Sequence, residues 1–119
     1  MTAPERPDDC LFCKIVEGEI PAEIVHADET TMAFRDLNPQ APTHVLVIPR
    51  SHYENASELA RHEPVSAAQM LVVAGEVAEQ EGLAPGYRLV FNTGLDGGQV
   101  VFHAHLHVLG GRPLGWPPG

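Results

Sequence analysis

The sequence has few basic residues, few cysteines and no long hydrophobic run. Seven Lys and Arg face 16 Asp and Glu, which gives a formal net charge of −9. A surface of that sign repels a phosphate backbone at long range, so we expect no nucleic-acid partner, although a single nucleotide can still be held locally. No apolar stretch approaches the roughly 20 residues of a membrane-spanning helix, so we expect no membrane partner either.

The N-terminal segment, residues 1–9, is polar and contains proline. It lacks the apolar core of a secretory signal, which predicts a flexible tail on a cytoplasmic protein. Residues 10–119 are enough for a single domain with one modest core and too few for a second independent module. The hydrophobic content of the chain, 44% with 6% aromatic residues, is typical of a soluble globular protein.

Hydrophobic periodicity and turn residues predict an α+β fold with about five antiparallel strands, one main helix and short helices. The helices are expected over Leu11–Glu17, in a short turn capped by Ser57, and over Val65–Glu81, which is the main helix. The strands are expected over Glu23–Ala27, Thr31–Arg35, His44–Ile48, Tyr87–Asn92 and His103–Leu109.

Three histidines near the C-terminus, His103, His105 and His107, alternate with small or apolar residues. In a strand, successive side chains point to opposite faces, so the three imidazoles would share one face at a spacing of roughly 7 Å. Adjacent imidazoles can act on one small substrate, or one can bind a metal while its neighbour does chemistry. The alternative is a histidine-rich polar face on an ordinary strand.

The two cysteines of the chain, Cys10 and Cys13, are separated by two residues. That spacing suits a metal-binding pair or a redox pair better than a stabilising disulfide in a reducing compartment.

The His-x-His-x-His pattern followed by two apolar residues, with Asn92 and Gly97-Gly98-Gln99 upstream, resembles the histidine triad (HIT) family of nucleotide-binding proteins. Segments 12–15, 19–22 and 36–44 and the terminal Trp-Pro-Pro-Gly are similar to the Hint branch of that family. The resemblance implies a five-stranded antiparallel sheet in a homodimer, with the main helix and the last strand at the interface. It also implies hydrolysis of purine nucleoside 5′-phosphoramidates and aminoacyl adenylates.

The resemblance gives His105 the role of nucleophile, which would bond transiently to AMP. Attack on phosphorus at neutral pH needs an uncharged nucleophile, and a neutral imidazole whose other nitrogen is hydrogen-bonded meets that need. His107 and His44 would flank the phosphate as protonated imidazoles that donate to its oxygens. Because Val100 stands where the Hint branch commonly has a serine, either the leaving amine would be protonated by His103, His107 or water, or the preferred leaving group differs.

The resemblance also implies a site for a purine nucleotide such as AMP, GMP or an adenosine phosphoramidate. Asp36 would accept hydrogen bonds from both ribose hydroxyls, and Asn92 would bind a ribose hydroxyl or a phosphate oxygen. Trp116 would reach in from the partner subunit or be a loosely packed terminal aromatic. The apolar slot for the base would be formed by Ile20, Phe34 and Leu37, unless these only pack in the core. The backbone cradle for the phosphate would be formed by Gly98, Gln99 and Val100, unless this segment is a plain turn.

Some bacterial proteins that this chain resembles bind zinc through the early cysteine pair and two histidines. The matching positions here are Cys10, Cys13, His52 and His103. Cys2His2 is a suitable tetrahedral set, and four protein ligands leave no open position for water, so the role of the zinc would be structural. The alternative is a buried thiol pair or a redox couple. The two histidines outside every motif, His26 and His62, are interpreted as surface residues.

Two other functions stay open. One is a dinucleoside polyphosphate hydrolase of the neighbouring HIT branch, which the terminal Trp-Pro-Pro-Gly argues against. The other is a nucleotide-binding scaffold with weak activity, which Val100 in place of serine favours.

Overall fold

The computed structural model describes residues 6–119, which form a five-stranded sheet and three helices. The helices are α1 (Leu11–Val16), α2 (Ala56–His62) and α3 (Pro64–Gln80). The strands are β1 (Ile24–Ala27), β2 (Thr31–Arg35), β3 (Thr43–Pro49), β4 (Tyr87–Phe91) and β5 (Leu106–Gly110). The sheet order is β1-β2-β3-β5-β4, and every neighbouring pair is antiparallel. The predicted α+β fold with five antiparallel strands is therefore confirmed.

The helix starts follow from local side-chain chemistry. Cys10 is the N-cap of α1, where its sulfur accepts a hydrogen bond from the N–H of Cys13 at 3.3 Å. The prediction that Ser57 caps α2 is wrong, because Asn55 does so: its backbone is extended and its side-chain oxygen accepts from the N–H of Glu58 at 2.9 Å. Pro64 occupies the first turn of α3, where its missing N–H costs no hydrogen bond.

The centre of the sheet, where β3 lies, is buried on both faces. Val45 and Val47 of β3 point towards α3 and join the larger core cluster. Leu46 and Ile48 point to the opposite face and join a smaller cluster with α1. Alternation along β3 thus separates a core on the α3 side from a core on the α1 side.

The predicted start of the last strand is wrong by three residues. β4 ends at Phe91, opposite Leu106, so residues 103–105 have no β4 partner. The N–H of Ala104 donates instead to the carbonyl of Tyr53 at 2.8 Å, outside the sheet. The predicted alternation of faces nevertheless holds. Each of the three histidines is followed by a residue whose side chain lies in the α3-side core, namely Ala104, Leu106 and Val108.

The free edges of the sheet are β1 and β4. β5 lies between β3 and β4, so its backbone groups are used on both sides. β4 is therefore the strand with an unpaired edge on that side of the sheet. The expectation that the last strand lies at a dimer interface stays a prediction.

Residues 1–5 of the predicted tail lie outside the described part of the chain. The remainder of that segment rests against α1. The Arg6 guanidinium contacts the carboxylates of Glu17 and Glu19, and the carbonyl of Pro7 accepts from the N–H of Cys10. Over residues 6–119, none of the helices combines the length and the apolar character needed to cross a membrane.

Candidate active site

His105 presents one free ring nitrogen. Its side chain is buried, and its Nδ1 donates to the backbone carbonyl of His103 at 2.8 Å. A carbonyl can only accept, so the ring proton lies on Nδ1 and Nε2 keeps its lone pair. Nε2 makes no hydrogen bond within residues 6–119, and it is not among the buried atoms that lack a partner, so it reaches solvent. The edge of the Phe12 ring, 5.1 Å away between centroids, holds the imidazole in place.

His107 presents a ring N–H beside it. The Nδ1 of His44 accepts from the backbone N–H of Gln40 at 3.0 Å, so the His44 proton is on Nε2. That Nε2 lies 2.9 Å from Nδ1 of His107 and donates to it. The His107 proton is therefore on its Nε2, which is buried and has no partner within the described chain. His105 and His107 thus place a lone pair and an N–H donor side by side, with ring centroids 5.0 Å apart.

Asp36 lies next to this pair. One carboxylate oxygen accepts from the N–H of Asn38 at 2.8 Å, and the other is 3.5 Å from Nε2 of His44. Asp36, His44 and His107 each bring one atom within 4.8 Å of the others. The carboxylate keeps lone pairs free for further donors.

Burial keeps these imidazoles neutral. It lowers the pKa of His44 and of His105, against the opposing effect of Asp36 and, for His105, of the His103 carbonyl. Burial, with the neighbouring His105 and His44, lowers the pKa of His107 to about 4. A neutral His107 still carries the N–H, so donation to a phosphate oxygen does not require the protonated imidazole that the sequence suggested.

A second cluster contains the predicted metal ligands. The donor atoms of Cys10, Cys13, His52 and His103 all lie within 4.8 Å of one another. The two sulfur atoms lie 3.4 to 3.5 Å from the facing Nδ1 atoms, and the two Nδ1 atoms are 3.2 Å apart. Nε2 of His103 donates to the carbonyl of Pro49 at 2.9 Å, so its Nδ1 offers a lone pair to the cluster. Burial, with the neighbouring Cys10, raises the pKa of Cys13 to about 12.

The glycine-rich loop, residues 93–99, is a tight turn in which two N–H groups are hydrogen-bonded to carbonyls of the loop itself. The N–H of Gly98 donates to Leu95 and that of Gln99 donates to Gly94, both at 3.0 Å. A Cβ at Gly97 would lie 2.3 Å from the carbonyl oxygen of Thr93, so only glycine fits there. Of the three N–H groups that the sequence offered to a phosphate, those of residues 98, 99 and 100, only that of Val100 has no partner within residues 6–119.

The side chain of Gln99 turns inward, and the sequence assigned this residue only a backbone role in the phosphate cradle. It is 3% exposed, and its Nε2 donates to the carbonyls of Glu54 at 2.6 Å and Val101 at 3.1 Å. Its Oε1 accepts from the N–H of Gly94 at 2.9 Å. Sequence reasoning missed this role because the partners are backbone groups, which leave no signal in residue identity.

The other predicted nucleotide contacts differ in exposure. Phe34 is buried and packs against Phe12 at 5.5 Å between centroids, and Ile20 packs partly on the same cluster. Leu37, Val100 and Trp116 are each more than 80% exposed. Asn92 is half-buried and follows the end of β4.

The two histidines interpreted as surface residues are only partly exposed. Nε2 of His26 donates to the carboxylate oxygen Oδ2 of Asp28 at 2.7 Å. His62 stacks on Tyr53, with centroids 5.6 Å apart and an angle of 10° between the ring planes. Neither contacts the histidines of the candidate site.

The comparisons with known proteins decide the family. The model of the HIT domain matches residues 17–114. The chain belongs to the HIT domain family. This HIT chain is 47% identical over 109 residues to a protein of Escherichia coli named purine nucleoside phosphoramidase, with 91% of this chain and 92% of that protein covered. It is 49% identical to a HIT-like protein of Synechococcus elongatus, with 94% and 98% covered.

Solved structures show the same HIT fold. The structure of a HIT family hydrolase from Legionella pneumophila matches with a TM-score of 0.89 at 51% identity, covering 93% of this chain and all of that one. A HIT family hydrolase from Clostridium thermocellum matches with a TM-score of 0.89 at 42% identity, covering 92% and 96%. The histidines described above therefore lie within a fold shared with hydrolases.

Proposed function

We propose that this HIT-family hydrolase cleaves purine nucleoside 5′-phosphoramidates and aminoacyl adenylates through a nucleotidyl intermediate on His105. The observation that carries the proposal is the free lone pair of His105 Nε2 beside the N–H of His107. The relative from Escherichia coli named purine nucleoside phosphoramidase supports the substrate class. His103, whose carbonyl fixes the His105 tautomer, and His44, which fixes that of His107, are positioning residues in this scheme.

The reaction has two displacements at phosphorus. In the first, Nε2 of His105 forms a bond to the α-phosphorus, the bond from phosphorus to the amine nitrogen breaks, and the departing amine takes a proton from solvent. With an aminoacyl adenylate, the bond from phosphorus to the carboxyl oxygen breaks instead, and the aminoacyl carboxylate leaves with the electron pair. In the second, water forms the new bond to phosphorus, His105 leaves with its electron pair, and the water proton returns to solvent. Splitting the displacement in this way makes each step easier.

The charge that develops on the phosphate needs donors that are already in place. The Nε2–H of His107 is buried and has no partner among residues 6–119, so a phosphate oxygen would gain a hydrogen bond there that none of these residues makes. The N–H of Val100 would be a second donor. Asp36 would accept from the ribose hydroxyls through its free lone pairs. Ile20, Phe34 and Leu37 remain our candidates for the base slot, and Asn92 for a ribose or phosphate contact.

We further propose that Cys10, Cys13, His52 and His103 bind zinc. At the usual Zn–S and Zn–N bond lengths, the edges of a tetrahedral site measure about 3.5 Å between S and N and about 3.3 Å between two N atoms. The corresponding distances here are 3.4 to 3.5 Å and 3.2 Å, so the donor set fits the metal without rearrangement. A bound zinc would supply structural stability, because four protein ligands leave no position for substrate.

A homodimer is the assembly that we propose, built on α3 and the free edge of β4. The outer side of α3 exposes Val65, Leu71 and Val72, and β4 exposes Tyr87, Leu89 and Phe91. The two sets adjoin, because a Cβ at Gly75 would lie 4.0 Å from the Tyr87 hydroxyl. Apolar side chains beside an unpaired strand edge are typical of an interface between copies.

The proposed function is tested on adenosine 5′-phosphoramidate with the parent protein and the His105→Gln variant. The parent should release AMP, and a brief reaction stopped in denaturant should leave an AMP adduct on the peptide that contains His105, detected by mass spectrometry. His105→Gln should lose at least about a thousandfold in kcat, because the nucleophile is gone. Variant turnover at the parental rate would contradict the proposal. Diadenosine polyphosphate is assayed in parallel, and faster cleavage of it would favour the neighbouring HIT branch.

AMP binding measured by calorimetry distinguishes an enzyme from a scaffold. Tight binding without hydrolysis of any amide or anhydride substrate would support a nucleotide-binding scaffold instead.

A further inference from the structure

We infer that Gln99 is a positioning residue for phosphate recognition, and that it acts by fixing the peptide N–H of Val100 relative to His105. The inference rests on the proposed function. In this scheme the Val100 N–H donates to the phosphate, and the buried Gln99 side chain holds that N–H in place without touching the substrate.

The first observation is how completely the Gln99 carboxamide is used. Both of its N–H groups donate to carbonyls, one of Glu54 and one of Val101, and its oxygen accepts from the N–H of Gly94. These partners fix the orientation of the amide, because only its nitrogen can donate and only its oxygen can accept here. The side chain is 3% exposed and both of its N–H groups are used, so it has no donor left for a phosphate oxygen.

The second observation is where those three bonds lie in the chain. Two of them span the loop itself, from Gly94 at its start to Val101 at its end, and the third attaches the loop to Glu54. The peptide N–H of Val100 lies between these anchor points. Because the neighbouring N–H groups of Gly98 and Gln99 are used within the turn, the Val100 N–H is the donor that the loop leaves free among the three.

The third observation is that the histidine segment is held by the same stretch of backbone. The carbonyl of Pro49 accepts from the ring of His103, and the carbonyl of Tyr53 accepts from the N–H of Ala104. The carbonyl of Glu54, the next residue, accepts from Gln99. Residues 49–54 therefore hold both the loop and the histidine segment, and the carbonyl of His103 in turn orients His105.

The loop also meets the core beside the nucleophile. The side chain of Val101 packs against the α1-side cluster, which contains Phe12, and the Phe12 ring lies against His105. Loss of the Gln99 bonds would free the loop between Gly94 and Val101 while leaving His105, His107 and Asp36 in place. The contribution of Gln99 is therefore expected to appear in binding of the phosphate and not in binding of the nucleoside.

The test compares two ligands that differ only in the phosphate, AMP and adenosine, on the full chain. Gln99→Met keeps the length and burial of the side chain but removes all three hydrogen bonds. We expect its Kd for AMP to rise about tenfold or more and kcat on the phosphoramidate to fall, while its Kd for adenosine changes less than about twofold. Gln69→Met is the matched control, because its carboxamide binds Asp28 on the α3 side of the molecule, and it should change neither constant.

If the role of Gln99 were purely structural, its replacement would change the Kd values for AMP and for adenosine by the same factor. If Gln99→Met weakens AMP and adenosine equally, or changes neither, the inference is overturned.

A second measurement, made on the parent protein, tests the Val100 N–H as phosphate donor even if the variant fails to fold. In amide NMR spectra, the Val100 resonance should move downfield when AMP saturates the site and stay in place with adenosine. A Val100 resonance that AMP leaves unmoved would overturn the inference alone, provided that the parent binds AMP and hydrolyses the phosphoramidate. A parent protein that does neither would overturn the proposed function as well.

Discussion

The Nε2–H of His44 donates to Nδ1 of His107 across 2.9 Å, and this bond determines which nitrogen of His107 carries the proton. The direction of the bond follows from a backbone contact, the N–H of Gln40 on the other side of the His44 ring. A turn of the chain before β3 thus sets the donor that faces the proposed phosphate.

Replacing His44 by Phe should remove this control without emptying the space that the ring fills. His107 would then be free to place its proton on either nitrogen. We expect kcat on adenosine phosphoramidate to fall about ten- to a hundredfold, with a smaller change in the Kd for AMP. His62→Phe is the control, because His62 stacks on Tyr53 outside the site. An equal loss in both variants would show that ring replacement itself is the cause.

The buried histidines should make folding sensitive to mild acid. The pKa of His107 is lowered to about 4 in the folded chain, whereas an unfolded histidine titrates near pH 6.5. Between these values only the unfolded chain takes up the proton, so the free energy of unfolding decreases as the pH falls from about 6.5 to about 4. The slope is at most about 1.4 kcal/mol per pH unit for one histidine. Urea unfolding of the parent and of His107→Gln at several pH values measures it. The variant should show a shallower decline, and parallel curves would contradict the prediction.

Removal of one proposed zinc ligand should lower the melting temperature more than it lowers turnover. Protein purified without chelators should contain about one zinc per chain by elemental analysis. Cys13→Ser should lose the metal and melt at a lower temperature, while the parent after mild chelation should keep most of its turnover. Lys14→Ser, at the next position of the same helix but outside the cluster, is the control for the substitution. A parent that contains no metal, or whose turnover needs it, would contradict this prediction.

A charge on the exposed face of α3 should separate the proposed dimer. Val72 is 53% exposed, so Val72→Lys should fold normally and sediment as a monomer at micromolar concentration, where the parent sediments as a dimer. Ile24→Lys places the same charge on β1, the opposite edge of the sheet, and should remain dimeric. The interface assignment fails if both variants behave like the parent.

Much of the fold could be predicted from the sequence, because local signals determine it. β2 was predicted at its observed ends, and α3 is displaced by one residue at each end. The start of β5 was predicted wrongly because the alternating histidine pattern begins at His103, three residues before the strand does. No local signal shows that the N–H of Ala104 bonds to the carbonyl of Tyr53 instead of to a strand. The α2 cap was assigned to Ser57 because both Ser and Asn are good caps, and only the backbone conformation selects Asn55.

The residue types of the candidate site were predictable, but their proton positions were not. The three histidines around the proposed phosphate, His44, His105 and His107, are named by the pattern and by the family resemblance. Which nitrogen of each is protonated depends on Gln40 and on the His103 carbonyl, which are backbone contacts. The inward turn of Gln99 likewise depends on Glu54, which is 45 residues away in the chain.

Because β3 is buried on both sides, the candidate site and the larger core lie on opposite faces of the sheet. Because the histidines of the candidate site and Phe12 lie on the α1 side, whereas α3 and its larger core lie on the other, the two halves share only strands of the sheet, with β3 at its centre. Side chains around the α1 side can therefore be exchanged to suit a different leaving group with little effect on the packing beneath α3. β3 itself has almost no such freedom, since nearly every position along it is enclosed by one half or the other.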